Sequence, residues 1–129
     1  MTITVYGIPA PQGSKRHIGR GVMIESSKKV KPWREAVKWA AIESMDKSAL
    51  EFGGAAVHVR VDFYLPKPKS AKKTALPTKK PDLDKLIRST MDALTDAGVW
   101  CDDSQVLSVW ARKHYAEARA AGAEIEVTD

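Results

Sequence analysis

The run Pro81-Asp82-Leu83-Asp84 sets two carboxylates one residue apart, directly after Lys79 and Lys80, and a second acid pair, Asp102-Asp103, follows downstream. Two kinds of chemistry suit such aspartates. One is structural: a carboxylate at a helix N-cap accepts backbone N–H bonds and sits at the positive end of the helix dipole. One cap, however, needs only one aspartate. The other is metal binding, because carboxylates gathered in one patch repel each other unless a divalent cation or protons neutralise them. A helix from Asp84 to Ala97 would be about 20 Å long, and six extended residues from Gly98 to Asp103 would retrace about that length. The spacing therefore predicts that Asp103 returns to Asp82 and Asp84. Oxygen ligands alone favour Mg²⁺, with Mn²⁺ as a substitute. Such an ion lowers the pKa of an attacking water and stabilises charge developing on a phosphodiester.

The elements that must hold these acids are legible from periodicity. Ile3 and Val5 alternate with Thr4 and Tyr6 before Gly7-Ile8-Pro9, which predicts an opening strand at a sheet edge or entrance. Residues 11–31 are Gly-containing and basic, with Lys15, Arg16, Arg20, Lys28, Lys29 and Lys31 against Glu25, so a loop with a short hairpin around Gly19 to Ile24 is expected. Pro32 suits a first helical turn, and Trp33, Ala36, Val37, Ala40 and Ala41 mark an apolar face running to about Met45. Val57, Val59, Val61, Phe63 and Leu65 alternate with polar residues as in a half-buried strand. Residues 66–80 hold three prolines and six lysines and no acid, so a mobile, irregular loop is expected there. Leu83, Leu86, Ile87, Thr90, Met91, Leu94 and Ala97 then share one helical face, with Gly98 placed to cap it. Gln105 to Tyr115 and Glu124 to Val127 complete the set as strands. The fold class expected is α/β: one small domain over residues 1–129, with a mixed sheet and two main helices.

Bulk composition narrows the partners. The 129 residues suffice for one core, and 43% hydrophobic with 29% charged residues is ordinary globular usage. Lys plus Arg number 21 against 16 acids, a formal charge of +5 that favours a polyanion. No apolar run approaches a membrane span and the start lacks the layout of a signal peptide, so a cytoplasmic protein without a membrane partner is expected. Cys101 is alone, which excludes an internal disulfide and a zinc-site spacing, and is expected to be a small buried apolar residue.

The residues Asp82-Leu83-Asp84-x-Leu86, the helix ending Asp92-Ala93-Leu94-Thr95-x-Ala97-Gly98, and Trp100-x-Asp102-Asp103-x-Gln105-Val106 together resemble the RusA family of Holliday-junction resolvases, found in phages and prophages. The likeness is tightest over Pro81 to Val106, and the order of the earlier elements agrees with it. It implies a homodimeric, Mg²⁺-dependent endodeoxyribonuclease that nicks branched DNA, four-way junctions in particular, in a bacterial cell. It further implies that Asp82, Asp84 and Asp103 are the essential metal-binding carboxylates, with Asp102 an auxiliary acid. Two positions depart from the pattern: Lys85 stands where the family usually has asparagine, and Arg88 where it has a functional lysine. Arg88 can hold a phosphate but cannot give up a proton, and an ordinary ion pair with Asp84 or Asp92 is an equal alternative. Lys15, Arg16, Lys72, Lys73, Lys79, Lys80 and Lys85 are the cations expected to grip the phosphate backbone.

Other features point away from other functions. Gly7 to Lys15 lacks the spacing of a phosphate-binding P-loop, so no nucleotide cofactor is expected, and His17, His58 and His114 form no catalytic pattern, with His58 expected to be solvated. Trp33 and Trp39 lie on an amphipathic helix, where core or interface packing outweighs base stacking, and packing is the default for Trp100. The alternative to an enzyme is a non-catalytic nucleic-acid-binding accessory protein of the same fold, its aspartates reduced to helix caps.

Overall fold

The computed structural model describes residues 1–13, 15–17, 23–25, 28–45 and 51–129. Strand β1 (Thr2–Tyr6) is followed by a hairpin of β2 (Lys15–His17) and β3 (Met23–Glu25), helix α1 (Val30–Ser44), strand β4 (Val57–Pro66), helix α2 (Leu83–Ala97), and strands β5 (Val106–Ala116) and β6 (Gly122–Thr128). The main sheet has the order β1-β6-β4-β5, with β4 and β5 parallel and the other pairs antiparallel. It is the mixed α/β sheet with two helices expected from the sequence, and β1 stands at one edge. The expected hairpin is present as β2 and β3, although residues 18–22 between its strands lie outside the described residues.

Parallel β4 and β5 cannot be joined by a tight turn, so the chain crosses over through α2. The alternation of β4 buries Val57, Val59, Val61, Phe63 and Leu65, and β1 and β6 add Ile3, Val5, Ala123, Ile125 and Val127. Trp33, Val37 and Ala41 of α1 and Leu86, Met91 and Leu94 of α2 complete the same core cluster. Each such side chain of leucine or phenylalanine size contributes roughly 1.5–3 kcal/mol by leaving water. Trp33 Nε1 donates to Thr90 Oγ1 (3.2 Å), joining the two helices, and buried Ser89 donates to the carbonyl of Ala10 (2.7 Å), tying α2 to the chain after β1.

Gly98 ends α2 with φ 83°, its N–H donating to the carbonyls of Leu94 and Thr95, a left-handed cap that disfavours any side chain. Val99 and Trp100 then sink into the core, which confirms packing for Trp100. One expectation fails nearby. Cys101 is exposed, because the chain turns outward straight after Trp100 and its amide bonds the carbonyl of Gly53. Trp39 is also exposed, at 57%, with its indole N–H on Glu35. Six residues after Trp33, it falls off the stripe of Trp33, Val37 and Ala41 that faces the core.

The sheet's other face carries charged residues interleaved with the rings of Tyr64 and exposed Trp110. Asp62 on β4 accepts from His114 Nε2 (2.8 Å) and Arg112 Nε (3.1 Å), with Arg60 Nε at 3.8 Å. Burial alone would raise its pKa, but the bonds from His114 and Arg112 outweigh that and hold it below the ordinary value. His58 is exposed, as expected, and lies 2.6 Å from the Ser108 hydroxyl.

Candidate active site

The acids singled out by spacing fall at two poles of α2. At its start, Asp82 is the N-cap residue, with φ −70° and ψ 139°, yet its side chain makes no capping hydrogen bond. Its nearest charged neighbour is Lys85, whose Nζ stands 3.8 Å from Oδ2, with both side chains substantially exposed. Asp84 lies exposed in the first turn, where the helix dipole favours an anion. The lysine-rich strap leads into this pole as irregular chain closed by short turns, and Lys72, Lys73, Lys79 and Lys80 are all exposed. The strap is tied down by two lysines. Lys67 bonds the carbonyl of Lys73 and pairs with Glu117, and Lys113 Nζ donates to the carbonyls of Lys79 (3.0 Å) and Pro81 (2.9 Å).

The second pole lies toward the end of α2. Gly98 to Asp103 does not run extended: after the left-handed cap and two buried residues the chain enters a 3₁₀ turn at Asp103–Gln105. Asp103 therefore stops beside the C-terminal half of α2, where the Thr95 hydroxyl donates to it and the Trp100 indole N–H donates to Thr95 Oγ1 (2.7 Å). Its acidic neighbour is Asp92, two turns along from Asp84 and about 12 Å from it at 1.5 Å per residue. The predicted return of Asp103 to Asp82 and Asp84 does not occur within one chain. Among the described residues, no three or more His, Cys, Asp or Glu side chains are gathered closely enough to hold a metal ion.

Asp92 is the acid beside Asp103 that spacing arguments did not place there. Its Oδ2 accepts from Gln12 Nε2 (2.8 Å), and Gln12 Oε1 in turn accepts from Arg34, which pairs with Asp96 at 2.7 Å. Burial raises its pKa above the ordinary value; the Gln12 bond opposes that, and the neighbouring Asp103 charge adds to it. The available signal was positional, since Asp84, Arg88 and Asp92 follow one another at four-residue intervals along one side of the helix.

The other expected residues are placed as follows. Asp102 caps the 3₁₀ turn: its Oδ1 accepts from the Ser104 amide at 2.8 Å, which lowers its pKa, while Gln105 closes a capping box on the Asp102 amide. The capping role weighed for Asp82 and Asp84 thus belongs to Asp102. Arg88 is exposed, and among the described residues it forms no ion pair with Asp84 or Asp92, the latter accepting from Gln12 instead. Lys15 and Arg16 lie on β2, and their side chains fall outside the described residues. No described helix is long and apolar enough to cross a membrane.

A family model for endodeoxyribonuclease RusA matches residues 7–128 of this chain. Among curated proteins, the uncharacterized protein YqaN of Bacillus subtilis (strain 168) is 33% identical over 127 residues, covering 88% of this chain and 87% of its own.

Proposed function

We propose, from the premise that this chain belongs to the endodeoxyribonuclease RusA family, that it is a Mg²⁺-dependent nuclease hydrolysing phosphodiesters in branched DNA, four-way junctions in particular. The observation that carries this reading is the carboxylate of Asp82, which makes no capping bond and has Lys85 as its charged neighbour. It occupies the N-cap without capping, beside Asp84 and at the foot of an exposed lysine strap. A protein that kept these aspartates only as caps would have the Asp82 side chain on the α2 amides, which is what disfavours the accessory-protein alternative.

In this reading Asp82, Asp84 and Asp103 are the metal-binding carboxylates. Their all-oxygen donor chemistry suits Mg²⁺ or Mn²⁺, although one chain does not bring the three together. When bound, the ion would activate water and offset charge on the phosphate. The chain's own residues supply the rest. The strap lysines attract the backbone, Arg88 presents an unpaired guanidinium one turn from Asp84, and Thr95 orients Asp103. Symmetric nicking of a two-fold junction calls for a homodimer. The separation of the two poles adds a reason for one, because a second copy can bring its Asp103 pole to the first copy's Asp82 and Asp84.

The test is nicking of a synthetic four-way junction beside a linear duplex of the same sequence, with Mg²⁺ and with chelator. Metal-dependent nicking confined to the junction is expected. Binding without cleavage in any divalent metal would favour the accessory protein.

A further inference from the structure

Lys113 interrupts the apolar side of a strand. On β5 it sits in register with buried Phe63 of β4 and is flanked two residues away by Ala111 and Tyr115, both partly buried against the core. A lysine there must recover the solvation its ammonium loses. It does so on the backbone, donating to the carbonyls of Lys79 and Pro81, on either side of Lys80 and immediately before Asp82. No carboxylate takes part. This part of the strap borders an open pocket of about 370 Å³, lined by Ile8, Pro9, Leu65, Pro77, Lys79 and Tyr115. The two Lys113 bonds hold the strap at Lys79 and Pro81, directly before Asp82 and the start of α2.

We propose that Lys113 is a positioning residue for the Asp82 and Asp84 carboxylates. It acts by clamping the strap and not by touching DNA, an assignment that rests on the nuclease reading above. Charge-assisted bonds to carbonyls are directional, and a misplacement on the order of 1 Å at a reacting centre costs roughly 100-fold in rate.

The experiment compares wild type with Lys113→Met, which keeps the stem and loses the donors, and Lys113→Arg, which keeps the charge. Three readouts are taken: junction nicking in Mg²⁺, junction affinity in Ca²⁺, and the rate of tryptic cleavage after Lys79 in the DNA-free protein. Lys113→Met should lower kcat roughly 10- to 100-fold, leave affinity unchanged and speed cleavage of the strap, while Lys113→Arg restores much of both activity and protection. Wild-type nicking by Lys113→Met, or an unaltered rate of strap cleavage, would overturn the assignment. So would a loss of affinity matching the loss of rate, which would make Lys113 a phosphate contact. If Lys113→Met does not fold, Lys113→Gln is read by the same three measures. A wild-type protein that nicks nothing would remove the nuclease reading, and strap cleavage would still decide whether Lys113 clamps the chain.

Discussion

At the scale of single residues, the molecule separates aspartates that look alike in sequence. Asp102 spends its carboxylate on a turn, Asp62 on Arg112 and His114 with Arg60 nearby, Asp92 on Gln12, and Asp82 on no backbone amide. The signs of their pKa shifts give a prediction. Asp62 is held below the ordinary 3.8, so it contributes stability above that pH and loses it as pH falls through its lower folded value. Asp92 is raised, so its ionised form costs stability above its folded pKa. In the metal-free protein, Asp62→Asn should lower stability by about 1 kcal/mol at neutral pH and converge on wild type in acid. Asp92→Asn should leave stability equal or higher at neutral pH. Thermal melts across the acid range check both, and equal effects of one sign would contradict the charge assignments. Arg88 yields a second prediction: Arg88→Lys should retain nicking and Arg88→Ala lose it, as expected of a cation held for the scissile phosphate. Unchanged nicking by Arg88→Ala would leave Arg88 as ordinary surface.

At the scale of elements, periodicity located nearly every strand and helix, because β4 and α2 carry long, unbroken patterns ended by Pro66 and Gly98. What periodicity cannot supply is the path between elements. An extended path from Gly98 to Asp103 is the simple expectation, but the left-handed cap at Gly98 and the bends over residues 99–101 shorten its reach, so Asp103 meets Thr95 and not Asp84. The same limit hid Asp92, whose partner Gln12 is distant in sequence, and exposed Cys101, whose orientation depends on the turn after Trp100. Lys113 was invisible for a related reason, since its carbonyl partners belong to a segment without regular structure. The strap itself gives a prediction. Replacing Lys72, Lys73, Lys79 and Lys80 together with Ala should weaken junction binding and flatten its salt dependence while leaving the melting temperature nearly unchanged, because all four side chains are exposed. An unaltered slope of log K against log salt would return these lysines to mere solvated surface.

At the scale of the whole molecule, one chain supplies acidic poles at the start of α2 and beside its C-terminal half, and the proposed chemistry needs them together. If a second copy closes that gap, a mixture of Asp84→Asn and Asp103→Asn proteins should recover activity that neither has alone. Random pairing would leave about a quarter of the sites intact in a two-fold dimer. No recovery after subunit exchange would place all three acids in one chain and require the Asp103 turn to move. The central claim, that these aspartates hold a catalytic metal, is tested most directly by nicking of a four-way junction in Mg²⁺ by Asp82→Asn, Asp84→Asn and Asp103→Asn, each beside a binding titration in Ca²⁺. Asparagine keeps the shape and caps a helix about as well as aspartate, but it removes a negative charge that both binds metal and repels phosphate. Nicking should therefore vanish while junction affinity stays equal or rises. Wild-type nicking by Asp84→Asn or Asp103→Asn would contradict the account.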